Sequence, residues 1–358
     1  MESIVVALSG GVDSAVAALL LKREGHEVTG LFMKNWDEDD GTEYCTAIAD
    51  YEDAQRVAER IDIQLDTISF SAEYWERVFS ILIESYESGL TPNPDILCNR
   101  EIKFGLFLDY VEQTFGTRSI ATGHYARSEV RDGNLSLFRA HDKAKDQSYF
   151  LSYVERVRLS KCLFPLAHSM KQQVRNIARC NGLHVHDKKD STGICFIGER
   201  RFRDFLERYT LRNPGEIVDT EGRVLGEHIG LAYYTYGQRK GLEVGGTKGA
   251  LESPWYVLEK MEETNRLVVT QSQDELLNGA LKATEVNWLV DEYEPYQRCE
   301  ASVRYRQEPS PCQFSVEENG DLNVMFDEPQ RAITPGQFVA LYCEEQCIAG
   351  ARIVEVIE

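Results

Sequence analysis

Ile4-Val5-Val6-Ala7-Leu8-Ser9-Gly10-Gly11-Val12-Asp13-Ser14-Ala15-Val16-Ala17-Ala18-Leu19-Leu20 decides the fold. The opening five residues are apolar and three are β-branched, the pattern of a buried strand. After the glycine pair, Val12, Ala15, Val16, Leu19 and Leu20 recur at helical spacing, and the run stops at Gly25. Val28 to Met33 then reads as a second strand. The order is strand, glycine turn, helix, strand. Two glycines at that turn let the backbone bend tightly and approach a ligand. The first amides of a helix lack internal partners, and its dipole favours negative charge there. The turn is therefore built to hold phosphate. No Lys follows the glycines, so it is not a Walker A loop, and it is not G-x-G-x-x-G either.

The full string Ser9-Gly10-Gly11-Val12-Asp13-Ser14 resembles the S-G-G-x-D-S loop of ATP-pyrophosphatases, which split ATP between its α and β phosphates. The resemblance implies that Ala7, Leu8, Ser9, Gly10, Gly11, Val12, Asp13 and Ser14 bind the nucleotide. The residues alone leave open a plain βα turn in which Ser9 or Asp13 caps the helix.

Outward from the loop the pattern stays β-α-β-α-β. Asp50 to Ile61 reads as a helix and Gln64 to Phe70 as a third strand. Alternation of this kind indicates a parallel, doubly wound α/β sheet, whose ligands bind beyond the carboxyl ends of the strands. Met33 lies at such an end and is either a nucleotide contact or a core residue. Phe70 to Ser88 reads as a helix, ended by Pro92-Asn93-Pro94-Asp95-Ile96-Leu97-Cys98. The prolines force an extended approach and place Cys98 at the start of a helix over 99–110. A helix N-terminus with Arg100 and Lys103 nearby lowers a thiol pKa. A buried structural cysteine is the alternative. Ser119 to Thr122 reads as a fourth strand, with Gly123-His124-Tyr125 at its end facing the first loop. Gly123 would let the nucleotide pass, and His124 binds or merely packs. A short hairpin turns at Asp132-Gly133-Asn134. The loop Lys143-Ala144-Lys145-Asp146-Gln147-Ser148-Tyr149-Phe150 is a solvated turn or an RNA contact. Lys171 to Arg179 is a basic helix. His184, His186, Asp187 and Cys195 lack the paired spacing of a structural zinc site, so no metal site is assigned to them. Cys195 sits between glycines in Gly193-Ile194-Cys195-Phe196-Ile197-Gly198, with Arg200, Arg201 and Arg203 following.

Beyond Tyr209 the chain becomes glycine-punctuated and β-rich to about Asn278. The last part alternates apolar and polar residues over 300–305, 313–317, 322–326, 338–343 and 348–356, with Asn319-Gly320 as a hairpin turn. That spacing indicates an antiparallel β-barrel. Arg304-Tyr305-Arg306-Gln307 offers guanidiniums and a ring able to stack on a base, or simply the outer face of a strand.

The chain has 358 residues, room for two or three domains. No apolar run reaches the roughly 18 residues that span a bilayer, and the N-terminus enters a strand directly without a signal pattern. A cytoplasmic protein is expected, and nothing demands more than a monomer. Nine cysteines in a reducing compartment are packed, metal-binding or catalytic rather than a disulfide scaffold. A net charge of −20 argues at first sight against nucleic acid. The charge is uneven, however: residues 97–240 carry 24 Lys and Arg against 17 Asp and Glu, and the rest 15 against 42. A local basic face is what governs phosphate contacts.

With the first loop, Pro92-Asn93-Pro94-Asp95-x-x-Cys98 and Gly193-Ile194-Cys195-Phe196-Ile197-Gly198 together, the chain resembles the bacterial tRNA-specific 2-thiouridylases nearly end to end, including Arg304–Gln307 and Pro335-Gly336-Gln337. The resemblance implies an ATP-pyrophosphatase domain over 1–208, a small β-rich domain over 209–279 and a C-terminal antiparallel β-barrel over 280–358. It implies ATP, with Mg²⁺, and the wobble uridine of the tRNAs for Lys, Glu and Gln as substrates. It makes Cys195 a persulfide carrier loaded by a cysteine desulfurase or sulfur-relay protein, Cys98 its partner nucleophile, and Asp95 the general acid/base. Asn93, Pro94, Asp95, His124, Lys145, Asp146, Gln147, Tyr305, Arg306 and Gln337 become tRNA contacts, and Met33 and Gly123 nucleotide contacts. Three other readings compete: a ligase of the same superfamily that needs no thiols, a nucleotide-binding module without catalysis, and a thiol-redox protein without adenylation.

Overall fold

The computed structural model describes residues 1–37, 47–117, 119–131, 134–190, 205–244, 253–294 and 296–357. Along the first part run β1 (Ser3–Ala7), α1 (Val12–Arg23), β2 (Glu27–Lys34), α2 (Ala47–Ile61), β3 (Gln64–Ser69), α3 (71–87), α4 (94–115), β4 (Ile120–Ala121), β5 (Arg127–Arg131), β6 (Asn134–Phe138), β7 (Cys162–Leu163) and α5 (Lys171–Cys180). Five of these strands form a parallel sheet in the order β3-β2-β1-β4-β7. Alternation along β1 explains its sequence. Val5 joins the apolar cluster under α3 and α4, while Ile4 and Val6 join the one under α1 and α2. Both faces of the strand are covered, so it reads as an unbroken apolar run. The doubly wound reading holds, and the strand order reverses between β1 and β4.

The next unit is a four-stranded sheet of β8 (Gly215–Asp219), β9 (Val224–His228), β10 (Tyr256–Met261) and β11 (Arg266–Thr270), in the order β10-β11-β8-β9. The last unit holds β12 (Leu277–Trp288), β13 (Arg298–Ser302), β14 (Ser310–Val316), β15 (Leu322–Arg331), β16 (Phe338–Cys343) and β17 (Gln346–Ile357). Their order is β12-β15-β14-β13-β16-β17, and β12 also pairs with β17, closing a six-stranded antiparallel barrel. Closure leaves the wall without a free edge.

Three features depart from the sequence reading. The hairpin β5–β6 is not confined to the first unit: Leu137 and Phe138 pair with Cys347 and Gln346 of β17, so it extends the barrel wall. The helix carrying Cys98 begins at Pro94, not at Asn99. Asn93 accepts the Ile96 amide at 3.3 Å and Pro94 takes the first helical position, where a proline costs no hydrogen bond. Arg304 and Tyr305 lie past the end of β13, in the loop to β14 rather than on a strand face. The reading also lacked β7 and β12. A strand of two residues leaves no periodicity to detect, and β12 carries Lys282, Glu285 and Asn287 among its apolar residues. Among the described residues, no helix is long and apolar enough to cross a membrane.

Candidate active site

The loop between β1 and α1 sits where the strand order reverses, the crevice in which open α/β sheets bind ligands. Gly10 has φ +74°, and a side chain there would collide with the Asp50 carbonyl. Gly11 is the N-cap of α1 and no side chain caps it, so the capping role open to Ser9 or Asp13 is not taken. Instead the serines close the loop on itself. Ser14 Oγ accepts the Ser9 amide at 3.2 Å, lies 3.1 Å from Ser9 Oγ, and donates to the Gly11 carbonyl at 3.2 Å. Ala7, Leu8 and Val12 are the framework: Leu8 and Val12 are buried, and the Leu8 amide donates to Leu31 O at 3.0 Å. Gly123, at the end of β4, presses on the same helix start. A methyl there would lie 2.6 Å from the Ser14 amide nitrogen. Met33 is half-buried at the end of β2 and packs against the cluster that contains Val5 and Leu31.

Around this loop stands a ring of ion pairs the sequence reading did not assemble. Lys171, first residue of α5, donates to both Asp13 oxygens at 2.8 and 2.7 Å and pairs with Asp190 at 2.8 Å. Tyr125 OH donates to Asp13 at 2.9 Å. Asp190 also takes Lys145 at 2.6 Å and Arg175 at 2.7 Å. Burial alone would raise the Asp190 carboxyl, but the lysine hydrogen bonds and charges outweigh it and bring it down to about 2. On the other side, Lys188 Nζ donates to the Gly10 carbonyl at 3.1 Å and pairs with Asp50 and Asp53 at 2.7 and 2.6 Å. Those carboxylates outweigh burial and raise the Lys188 ammonium. His184 pairs with Asp53 at 2.7 Å. The available signal was the basic start of α5 and the Lys188-Lys189-Asp190 run. Only the fold shows that both return to the first loop.

A second group forms around Asn93. Gln337, from the barrel, donates to the Thr91 and Pro92 carbonyls at 2.7 and 3.2 Å, and Asn93 Nδ2 donates to Gln337 Oε1 at 3.4 Å. Asn93, Pro94, Asp95 and Gln337 are thus brought together although 242 residues separate the last two. Burial raises the Asp95 carboxyl, opposed by Lys103. Cys98 is buried, one turn inside the helix rather than at its tip. The dipole acts mainly within the first turn, so it supports a thiolate there less than the sequence reading supposed. Cys195 lies outside the described residues. His124 bonds Thr122 Oγ1 at 2.8 Å and sits 5.5 Å from the Phe104 ring. Burial, then Lys103, hold it well below the usual histidine range, so its imidazole is neutral.

A third group lines a cleft of about 370 Å³ between the 139–149 segment and the loop from β13 to β14. Tyr305 rests 4.3 Å from Phe150, and Arg306 lies over Tyr305 at 5.2 Å. Arg139, Lys143 and Arg304 complete a basic wall, with Asp146 and Glu308 opposing. Asp146 and Gln147 have inward work. Asp146 accepts the Ala140 amide and the Ser148 hydroxyl, and Gln147 accepts the Tyr125 amide at 2.9 Å. Lys145 turns from the cleft towards Asp190.

Three family models match the chain in succession: a tRNA methyl transferase HUP domain over residues 2–199, a tRNA methyl transferase PRC-barrel domain over 203–271, and an aminomethyltransferase β-barrel domain over 278–353. A tRNA-specific 2-thiouridylase MnmA from Pseudoalteromonas translucida (strain TAC 125) is 49% identical, covering 99% of this chain and 98% of its own. The protein of the same name from Pseudomonas fluorescens (strain SBW25) is 52% identical over 100% of this chain and 96% of its own. Among solved structures, a 4-thiouridine synthetase–RNA complex with bound ATP aligns at 14% identity and TM-score 0.35, over 57% of this chain and 50% of that one, too distant a likeness to carry an argument.

Proposed function

The chain belongs to the tRNA-specific 2-thiouridylase family, and from that premise we propose that it replaces the C2 oxygen of the wobble uridine in the tRNAs for Lys, Glu and Gln by sulfur, at the expense of ATP. A carbonyl oxygen is a poor leaving group. Attack by that oxygen on the α-phosphorus breaks the bond to the bridging β-phosphate oxygen, releases pyrophosphate and makes the oxygen part of AMP. The observation that carries the reading is the uncapped start of α1 behind Gly10 and Gly11, at the reversal of strand order. Its amides hold the departing phosphates, and beside them the cluster of Lys145, Lys171 and Arg175 carries one more positive charge than the Asp13 and Asp190 it pairs with.

Asp13 is the carboxylate of the loop, and Mg²⁺, which takes one or two carboxylates with phosphate and water, would be held there once Lys171 moved from its oxygens to the phosphates. Bound there, the ion would offset phosphate charge. Asp95, with its carboxyl raised by burial, takes the N3 proton of the uridine and later returns it. Asn93, Pro94 and Gln337 set the base beside it, while Tyr305 and Arg306 meet the RNA.

Sulfur arrives as a persulfide on Cys195, delivered by a cysteine desulfurase or relay protein. The Cys98 thiolate attacks the inner sulfur, forms a Cys98–Cys195 disulfide and releases hydrosulfide. Hydrosulfide adds to C2, and AMP leaves with the original oxygen. A reductant then restores the two thiols.

The test is incubation of the full chain with ATP, Mg²⁺, a sulfide source and unmodified tRNA, scoring AMP and 2-thiouridine. Both are expected in equal amounts, and absence of AMP rules out adenylation. AMP without 2-thiouridine would favour a ligase of the same superfamily. Cys195→Ser is expected to abolish thiolation from a desulfurase. Normal thiolation by Cys98→Ser would remove the two-thiol scheme.

A further inference from the structure

Cys299 on β13 and Cys312 on β14 stand directly opposite each other in the antiparallel register. Both side chains are buried in the barrel core, and their sulfurs are 3.4 Å apart. Neither belongs to the sulfur chemistry above. Opposed residues of an antiparallel pair have Cα atoms about 4.5 or 5.5 Å apart, and both values lie inside the 4.4–6.8 Å range that disulfides occupy. A side-chain rotation that brings the sulfurs to about 2.05 Å therefore closes the bond with the strands left in place.

The position of this pair matters. β13 and β14 are joined by residues 303–309, the loop that carries Arg304, Tyr305 and Arg306 along the basic cleft. Polar contacts shape the loop: Ser302 Oγ donates to the Gln307 carbonyl at 3.2 Å, and the Val303 amide to Gln307 Oε1 at 3.0 Å. Arg306 sits at φ +62°, a strained setting for a residue with a side chain. In the reduced protein, hydrogen bonds across the ladder are what close the base of this hairpin.

We propose that Cys299 and Cys312 form a reversible disulfide clasp that locks the base of the 303–309 hairpin when the protein meets hydrogen peroxide. One sulfur takes an oxygen from peroxide and releases water, giving a sulfenic acid. The second thiol attacks that sulfur and expels the oxygen as water. Two thiols lose two hydrogens in all, and one peroxide becomes two waters. A dithiol reductant reverses the step. The hydrogen bond with Cys299, then burial, raise the Cys312 thiol, so oxidation is slow beside that of an exposed cysteine. The covalent step stands on the barrel geometry alone. Its bearing on RNA rests on the function proposed above, so the test reads neither tRNA nor thiolation.

The full chain is exposed to graded hydrogen peroxide, alkylated under denaturing conditions and digested with trypsin without reductant. Cleavage after Arg298, Arg304, Arg306 and Arg331 makes the expected product residues 299–304 joined to residues 307–331, two hydrogens lighter than the separate peptides. Reduction before alkylation should release both, and Cys312→Ser should lack the product. Recovery of Cys299 and Cys312 singly alkylated at every peroxide dose overturns the clasp. That result is read in the wild-type chain, so it stands even if the variant fails to fold. Native trypsin digestion tests the locking: cleavage after Arg304 and Arg306 should slow several-fold in the oxidised protein. An unchanged rate beside a confirmed cross-link overturns the locking.

Discussion

Replacing Gly123 by Ala tests whether the floor of the proposed nucleotide site is made by contact between the end of β4 and the start of α1. The added methyl would sit 2.6 Å from the Ser14 nitrogen, 2.7 Å from the Asp13 carbonyl carbon and 3.0 Å from Asp13 Cβ. Comfortable contacts lie at about 3.5–4.0 Å, so the end of β4 and the start of α1 must part by about 1 Å. Two of the three neighbours are backbone atoms, and no rotamer change relieves them. α1 cannot retreat, because Val12, Ala15, Val16, Ala17 and Ala18 are packed into the core. Overpacking of this kind costs about 1–3 kcal/mol, a fall in Tm of about 2–10 °C. The effect on chemistry should be larger. A reacting group displaced by about 1 Å loses about 10²-fold in rate. Gly279→Ala is the matched control, since a methyl there meets no atom within 4 Å. The assay is pyrophosphate release with unmodified tRNA at subsaturating ATP, beside thermal unfolding of both variants. A Gly123→Ala enzyme with the kcat/KM of Gly279→Ala would refute the reasoning.

Asp95→Asn should lower kcat by about 10²–10⁴-fold, the usual contribution of a general acid or base. Tight tRNA retention in a gel-shift assay separates that from lost binding, and a change under twofold would remove Asp95 from the chemistry. Asp190 is held at about 2 in the folded chain against an ordinary 3.8. Its share of stability is therefore full above about pH 4 and lost as pH falls through about 2; urea midpoints at pH 6 and pH 2.5 should show that loss in the wild type and not in Asp190→Asn. Lys260 is lowered from 10.5 to about 8 by burial, with Glu262 opposing. Between those values the unfolded chain binds more protons, so stability should rise with pH across the window, by at most about 3 kcal/mol. Lys260→Met should lack that rise in denaturant titrations at pH 7.5 and 10.

What could be read from the chain beforehand followed the range of each signal. Ile4 to Leu20 carries its whole geometry locally, so the strand, turn and helix needed no partner to be recognised. Phe338 to Cys343 forms β16 over those same residues, although the run is apolar throughout rather than alternating and is buried from Phe338 to Tyr342. The pairing of β6 with β17 had no local signature, since Leu137 meets Cys347 from more than 200 residues away. The same holds for Lys171 on Asp13 and Gln337 on Thr91. Charged residues at a distance read as a solvated face until the fold turns them inward. Cys98 lies one turn inside its helix because Pro94 starts that helix instead of breaking the chain before it. At the first helical position a proline begins a helix.

The turn over residues 89–93 is where the three sheets of the chain are tied together. Lys260 of β10 donates to the Gly89 carbonyl at 2.9 Å. The Thr91 amide donates to the Pro335 carbonyl at 3.0 Å, and Gln337 returns bonds to Thr91 and Pro92. A methyl on Gly336 would lie 2.8 Å from the Thr91 nitrogen, so the barrel rim and this turn are already in contact. Hydrogen bonds of this kind contribute about 0.5–1.5 kcal/mol each, which makes four of them about 2–6 kcal/mol. That is modest against the stability of a folded domain, yet it all falls within five residues. Asn93 ends that turn and caps the helix of Asp95 and Cys98. The central sheet and the barrel therefore bear directly on the carboxyl and the thiol, and a displacement of either unit must break these bonds or carry the helix start with it.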